Sequence, residues 1–166
     1  MLKKLLIVCI ALAPLAAVAQ DVKIGYINTQ EIFASMPELS GIETQLSNKQ
    51  EEISKNGQAL VDEYNKKYEE LEASAATASD AIRMDQEKQL MQIQERYQLF
   101  IQNSQQEMGQ LEQKLLEPVH TKIREAIQSV GAENNFTYLL DVANVVYVSP
   151  TAENVTPLVK TKLGIQ

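Results

Sequence analysis

The alternation of apolar and polar residues near the start of the chain predicts one strand and one short helix. Residues 22–27 alternate at first and are rich in residues that favour β-structure. Asn28 or Thr29 can then cap a short helix. Its apolar residues follow helical spacing at Ile32, Phe33 and Met36. Pro37 interrupts this helix or starts the next one.

The middle of the chain, from about residue 39 to residue 116, is almost continuously helix-forming and contains no proline. Residues 73–80 are the one interruption, because they are small, polar and low in complexity. We predict a helix, a turn near residues 75–79 and a returning helix that Ser79 or Asp80 caps. Each helix would contain about 36 residues and be about 55 Å long, at a rise of about 1.5 Å per residue.

A narrow apolar seam runs along both long helices. On the outgoing helix it consists of Ile42, Leu46, Ile53, Leu60, Tyr64, Tyr68 and Leu71. On the returning helix it consists of Leu90, Ile93, Tyr97, Phe100, Ser104, Met108, Leu111 and Leu115. On the outgoing helix Leu46, Ile53 and Leu60 repeat every seventh residue, and on the returning helix the spacings of three and four are those of a heptad repeat with one extra four-residue step. The pattern therefore predicts an antiparallel coiled-coil hairpin whose seam is only half filled by apolar residues.

Two glycines lie within the helical patterns. Gly57 and Gly109 each disfavour a helix by about 1 kcal/mol relative to alanine. With a turn near residue 76, Gly57 would lie opposite residue 95 and Gly109 opposite residue 43. We interpret both as tolerated glycines on exposed faces. The alternative is that Gly57 loosens the middle of the hairpin and Gly109 loosens its base.

After Pro118 the pattern changes from the long hairpin to shorter elements. An apolar stripe continues to Gly131, which can stop a helix. Residues 136–142 and 145–148 predict two strands joined by a tight hairpin turn. A last helix follows, with Thr156 as its cap and a proline at its first position.

The predicted strands lie at the two ends of the chain and must meet to bury their apolar faces. The fold class is therefore α+β, a small β-rich body into which a long antiparallel helical hairpin is inserted. We expect the body at residues 20–38 and 117–166, and the hairpin arm at residues 39–116. Three strands with a few short helices make a small core, so we expect the body to form oligomers.

The first residues of the chain have the features of a secretory signal peptide. Lys3 and Lys4 precede an apolar run at residues 5–12, and Ala17-Val18-Ala19 supplies small residues for cleavage before Gln20. The run is shorter than the roughly 20 residues of a permanent membrane anchor. Removal of residues 1–19 would also remove Cys9, which is the one cysteine. We therefore expect an exported protein without a disulfide or a thiolate metal site.

Composition and charge argue against several kinds of function. The chain has formal charge −7, and loss of Lys3 and Lys4 would leave 13 basic and 22 acidic residues. Such a chain should not bind nucleic acid, which needs clustered lysine and arginine. His120 is the one histidine, and no P-loop, dinucleotide-binding or nucleophile-elbow motif occurs. We expect no enzyme, no metal site and no cofactor.

Three groups of residues together resemble one known family. They are residues 23–33, residues 136–141 with Val146 and Tyr147, and residues 154–159. In this order, around a long helical middle, they resemble the Skp/OmpH family of periplasmic chaperones. The resemblance implies a homotrimer shaped like a jellyfish, in which three bodies close a small β-barrel and three arms surround a cavity. It also implies ATP-independent holding of unfolded outer-membrane β-barrel proteins in the periplasm.

Two sets of residues are candidates for these roles. We expect the interface between copies to include Ile24, Tyr26, Leu139, Val146 and Tyr147. We expect unfolded clients to contact Tyr64, Tyr68, Tyr97, Phe100 and Met108. Methionine and aromatic side chains adapt to varied partners. The alternative for each member of the second set is that it fills the seam between the two helices.

The charge of this chain departs from that of the best-known family members, which are basic. We therefore expect apolar contact, and not electrostatic attraction, to dominate client binding. We expect no contact with lipopolysaccharide or with a membrane surface. The alternative function is a structural coiled-coil adaptor or spacer in a cell-envelope assembly, which would bind one folded partner through a few hot-spot residues.

Overall fold

The computed structural model describes residues 22–165. In chain order its elements are β1 (Ile24–Ile27), α1 (Thr29–Ala34), α2 (Glu38–Ser74), α3 (Asp80–Glu133), β2 (Tyr138–Asp141), β3 (Glu153–Asn154) and α4 (Thr156–Leu163). Helices α2 and α3 form a long hairpin, and the strands form one small sheet. The predicted fold class is confirmed. The predicted signal peptide at residues 1–19 and Cys9 lie outside the described residues.

The sheet joins the two ends of the described chain, as predicted. Its strand order is β2-β1-β3, and both pairings are parallel. Ile24 is paired with Tyr138, and Tyr26 is paired with Leu140. Parallel neighbours need a long crossover, and the whole hairpin of α2 and α3 provides the crossover between β1 and β2.

The prediction of a β-hairpin at residues 136–148 is wrong. Asp141 accepts a hydrogen bond from the backbone N–H of Ala143 at 3.1 Å, and residues Val142–Asn144 form a 3₁₀ turn. The chain leaves the sheet at this turn, so residues 145–148 form no strand. The third strand is β3, further along the chain, which pairs with the free edge of β1.

Side chains from both ends of the chain and from the base of the hairpin form the core. Its buried members are Ile27, Ile32, Met36, Ile42, Val119, Ile123, Ala126, Val130, Val155 and Val159. Gly25 lets the sheet approach this core closely. A Cβ atom at position 25 would lie 2.6 Å from Val155 and 2.8 Å from Phe136. Only glycine fits there without displacing its neighbours.

The starts of α1 and α4 are hydrogen-bonded to each other. Asn28 caps α1, as predicted, because its side chain accepts from the backbone N–H of Glu31 at 3.0 Å. Thr156 is the first residue of α4 and not its cap. Its hydroxyl accepts from the backbone N–H of Asn28 at 3.0 Å. The hydroxyl of Thr156 is buried in this contact.

Helix α3 continues through Pro118 and has 54 residues, so the prediction of a returning helix of about 36 residues is wrong. Proline has no N–H for the carbonyl of Lys114 and disfavours a helix interior by about 3 kcal/mol. The residues beyond it compensate, because their apolar stripe is buried in the core at Val119, Ile123, Ala126 and Val130. One continuous helix therefore links the hairpin to the sheet.

The turn at residues 75–79 is confirmed, and cross-helix contacts define the register of the hairpin. Facing pairs are Glu38 with Lys122, Lys49 with Glu107, Glu63 with Arg96, and Ser74 with Gln86. The sequence midpoints of these pairs fall at residues 78 to 80. The midpoint of the hairpin therefore lies about three residues beyond the predicted centre at residue 76, so a residue of α2 faces a partner about six residues further along α3 than predicted.

Candidate functional site

One long face of the hairpin, which we call the neutral face, carries no charged side chain over most of its length. Helix α2 contributes Gln50, Val61, Tyr64 and Tyr68, and α3 contributes Met91, Gln94, Gln98, Ile101, Gln105 and Met108. The α3 residues recur at spacings of three and four, and the α2 residues at spacings of eleven, three and four, which places them along one side of each helix. Two grooves of about 470 Å³ and 480 Å³ follow this face. Glu112 is the first charged residue toward the base of the hairpin.

The opposite long face, which we call the ion-paired face, carries the cross-helix salt bridges of the arm. Arg96 contacts Glu63 at 2.6 Å, and Lys49 contacts Glu107 at 3.1 Å. The hydrogen bond from Lys49 to Glu107 raises the pKa of the Lys49 ammonium from its ordinary value. Glu95 and Lys67 line a groove beside Arg96 and Glu63 on the same face. The two faces of one hairpin therefore differ sharply in charge.

Four of the five predicted client-contact residues lie on or beside the neutral face. Tyr64 and Tyr68 stack with ring centroids 6.4 Å apart, and the Tyr64 hydroxyl accepts from Gln94 at 3.1 Å. Tyr97 lines the same groove as Tyr64, and Met108 lines the second groove. Tyr68 and Tyr97 are more than one third exposed, so both can reach a partner.

The fifth residue, Phe100, is inside the seam. Gly57 is buried directly opposite it, and a Cβ atom at position 57 would lie 3.2 Å from the Phe100 ring. The interpretation of Gly57 as a tolerated glycine on an exposed face is therefore wrong. Gly57 makes the space that the Phe100 ring fills. Gly109 does face open space, since nothing lies within 4 Å of a Cβ atom there.

The outer face of the sheet is apolar and uncovered in the described chain. Ile24 and Tyr26 lie on this face, and their register partners Tyr138 and Leu140 extend it. Ile24, Tyr138 and Leu140 are exposed, and Tyr26 is half-buried. Exposed apolar patches of this kind mark contact surfaces. Tyr138 and Leu140 were not among the predicted interface residues, because the sequence pattern does not fix which side of the second strand faces the core.

The other predicted interface residues are placed differently from Ile24 and Tyr26. Leu139 lies on the inner face of the sheet, packed against the core cluster, where it approaches Gly25 and Gly131. It is therefore not on the apolar outer face. Val146 and Tyr147 lie in the segment between β2 and β3 and are highly exposed.

The base of the hairpin is held by an ion pair and an aromatic stack. Lys122 of α3 donates to Glu38 at the start of α2 at 2.5 Å, and this hydrogen bond lowers the pKa of the Glu38 carboxyl from its ordinary value. The ring of His120 stacks on Phe33 of α1 at 5.1 Å. Among residues 22–165 no three His, Cys, Asp or Glu side chains are grouped as metal ligands would be. Within that range, no helix has the length and apolar character needed to cross a membrane.

The fold and these surfaces define a class of protein, in which a small sheet supports a long two-helix arm. The family model described as "Outer membrane protein (OmpH-like)" matches residues 23–163. The chain therefore belongs to the Skp/OmpH-like family.

Curated relatives and a solved structure agree with this assignment. The chaperone protein Skp of Yersinia enterocolitica is 23% identical, with 91% of this chain and 92% of that protein covered. The chaperone protein Skp of Photorhabdus luminescens is 27% identical, with 89% and 88% covered. An OmpH-like crystal structure from Caulobacter crescentus CB15 has a TM-score of 0.73 at 19% identity and covers 84% of this chain and 82% of its own, which supports the fold. Chaperones of this family are not enzymes, so the prediction of a non-enzymatic protein is confirmed.

Proposed function

We propose that this protein is an ATP-independent periplasmic chaperone that holds unfolded outer-membrane β-barrel proteins. The observation that carries the proposal is the arm itself. A hairpin about 55 Å long projects from a small core and displays exposed apolar and aromatic side chains along an uncharged face. The curated relatives named chaperone protein Skp support the same activity.

The proposal includes a homotrimer assembled through the sheets. Ile24, Tyr26, Tyr138 and Leu140 form an apolar outer face, which three copies could bury against one another. Val146 and Tyr147, in the segment between β2 and β3, are also exposed, and we include them in the proposed interface. We assign residues 20–38 and 117–166 to this body, residues 39–116 to the arm, and residues 1–19 to a signal peptide that directs export.

Binding through many weak apolar contacts fits a chaperone without an energy source. Each contact with a mobile Met, Tyr or Ile side chain contributes little, so a client can leave when a more favourable folding site is available. The chain is acidic, with formal charge −7, and a negative net charge disfavours contact with anionic lipopolysaccharide. Electrostatic attraction therefore has no leading role in the proposed function.

The test is suppression of aggregation by the protein without its signal peptide. A urea-unfolded outer-membrane barrel protein is diluted into buffer without ATP, and light scattering is followed with and without the chaperone. We expect suppression near one trimer per client molecule. No suppression by a folded, oligomeric protein would contradict the proposal and favour a structural adaptor that binds one folded envelope partner. An adaptor would also lose binding on loss of a few hot-spot residues.

A further inference from the structure

The two long faces of the arm differ enough to assign client contact to one of them. Resting on the proposed chaperone function, we propose that the neutral face alone binds the client, and that it takes extended, uncharged segments of unfolded polypeptide through backbone hydrogen bonds and apolar contacts. The ion-paired face remains in solvent. Two observations carry this assignment, namely the charge of each face and the kinds of side chain on the neutral one.

Glutamine amides alternate with apolar side chains along the neutral face. Gln94, Gln98 and Gln105 lie between Met91, Ile101 and Met108 on α3. A glutamine amide both donates and accepts hydrogen bonds, so it can pair with the N–H and C=O groups of an extended backbone whatever its sequence. Methionine and isoleucine offer apolar contact for side chains of different shape. A folded partner has already paired most of its backbone groups, so this face suits an unfolded chain.

The charges of the arm favour an uncharged occupant. No carboxylate or ammonium lies on the neutral face between Gln50 and Tyr68 or between Met91 and Met108, so a charged client segment would find no partner there. Acidic segments are also repelled by the chain as a whole, which has formal charge −7. On the other face the charges of Arg96 and Lys49 are already paired across the two helices.

The size of the neutral face sets the length of the segment that it binds. From Gln50 to Tyr68 the helix rises about 27 Å, at about 1.5 Å per residue. An extended chain rises about 3.3 Å per residue, so one arm covers about eight client residues. Many such segments occur in any unfolded barrel, and the face needs no defined motif.

The test compares two double variants of the full protein without its signal peptide. Met91→Glu with Ile101→Glu places charges on the neutral face. Ile82→Glu with Leu99→Glu is the matched control on the other side of the same helix. Leu99 and Gln89 line the groove of the ion-paired face, and Ile82 lies two helical turns, or seven residues, before Gln89. The two pairs remove similar amounts of exposed apolar surface, because Met91 and Ile101 are 68% and 37% exposed, and Ile82 and Leu99 are each 52% exposed.

Binding of a urea-unfolded barrel protein is measured by the tryptophan fluorescence of the client, because the chaperone chain contains no tryptophan. We expect Met91→Glu with Ile101→Glu to weaken binding by about tenfold or more, and the control pair to change it by less than about twofold. Equal weakening by both pairs, with wild-type binding intact, would overturn the assignment of the face and leave the chaperone proposal standing. Absence of wild-type binding would overturn the chaperone proposal itself.

A salt titration of the wild-type protein tests the same assignment without any substitution. Raising NaCl from about 0.1 M to about 1 M shortens the screening length from about 10 Å to about 3 Å. An uncharged contact should keep its dissociation constant within about twofold over this range. A tenfold loss of affinity would mean that charged groups hold the client and would contradict the proposal.

Discussion

The contact between Gly57 and Phe100 leads to a quantitative prediction about the stability of the arm. Alanine in place of a helical glycine normally stabilises by about 1 kcal/mol. At position 57 the added Cβ atom would lie 3.2 Å from the Phe100 ring, closer than the roughly 3.5–4.0 Å of an ordinary carbon contact. Moving the ring would cost about 1 kcal/mol, as in other overpacked sites. We therefore expect Gly57→Ala to leave stability almost unchanged.

Removal of the ring should restore the benefit of alanine. Phe100 is half-buried, so Phe100→Ala should destabilise by about 2 kcal/mol, less than the 3–5 kcal/mol of a fully buried phenylalanine. In that background Gly57→Ala should stabilise by about 1 kcal/mol. The double-mutant cycle should thus show a coupling of about 1 kcal/mol between the two positions. Gly109→Ala is the control, because position 109 is open and should gain about 1 kcal/mol in both backgrounds.

The assay is thermal unfolding of all variants at one protein concentration, followed by the circular dichroism of the helices. Fixed concentration matters because an oligomer unfolds at a temperature that depends on it. A change of 1 kcal/mol should move Tm by about 4 °C in a chain of this size. If Gly57→Ala raises Tm equally with and without the Phe100 ring, the two residues are independent and the described seam is incorrect.

Two further predictions concern the base of the hairpin and the sheet. Lys122→Met should lower stability at pH 7 by about 0.5 kcal/mol, since the pair with Glu38 is partly exposed. Because Lys122 lowers the pKa of Glu38, this contribution is present above pH 4.5 and is lost as the pH falls through the lowered pKa. If the Tm difference between the wild-type protein and Lys122→Met grows on acidification, the pair does not have this role. Ile24→Asp with Tyr138→Asp should dissociate the oligomer, and an unchanged mass by light scattering would contradict the proposed sheet interface.

Local patterns predicted the long elements well. The helical stretch, the turn at residues 75–79 and the seam positions Leu90 and Ile93 follow from spacing along the sequence, and all are found where expected. Such features depend on neighbours three or four residues away, so the sequence around them contains most of the information. The meeting of the two chain ends followed from the need to bury apolar strand faces.

Features that depend on distant contacts were predicted poorly. Residues 145–148 have the composition of a strand, but the 3₁₀ turn at Val142–Asn144, held by the side chain of Asp141, leads the chain away from β2, so these residues pair with no strand. Pro118 signalled a helix end, but burial of the apolar stripe after it outweighs the lost hydrogen bond. Gly57 was misjudged because an error of a few residues in the turn changes which residue faces it.

The neutral face was recognisable in part from sequence. Its aromatic residues and Met108 were predicted as client contacts, but the glutamines between them were not, because glutamine is common on any solvated helix. The feature of the sequence that identifies the neutral face is the absence of charged residues at the same heptad positions on both helices. Recognising it required the cross-helix ion pairs, which show that Arg96 and Lys49 lie on the opposite side.

The most direct test of the chaperone account is to shorten the arm and measure suppression of aggregation. Deleting residues 53–73 and 81–101 removes three heptads from each helix and keeps the turn and the Lys49–Glu107 pair. We expect a folded oligomer of the same stoichiometry that no longer prevents light scattering by a diluted, unfolded barrel protein. A folded, shortened oligomer that suppresses aggregation as well as the full-length one would contradict the claim that the arm holds the client.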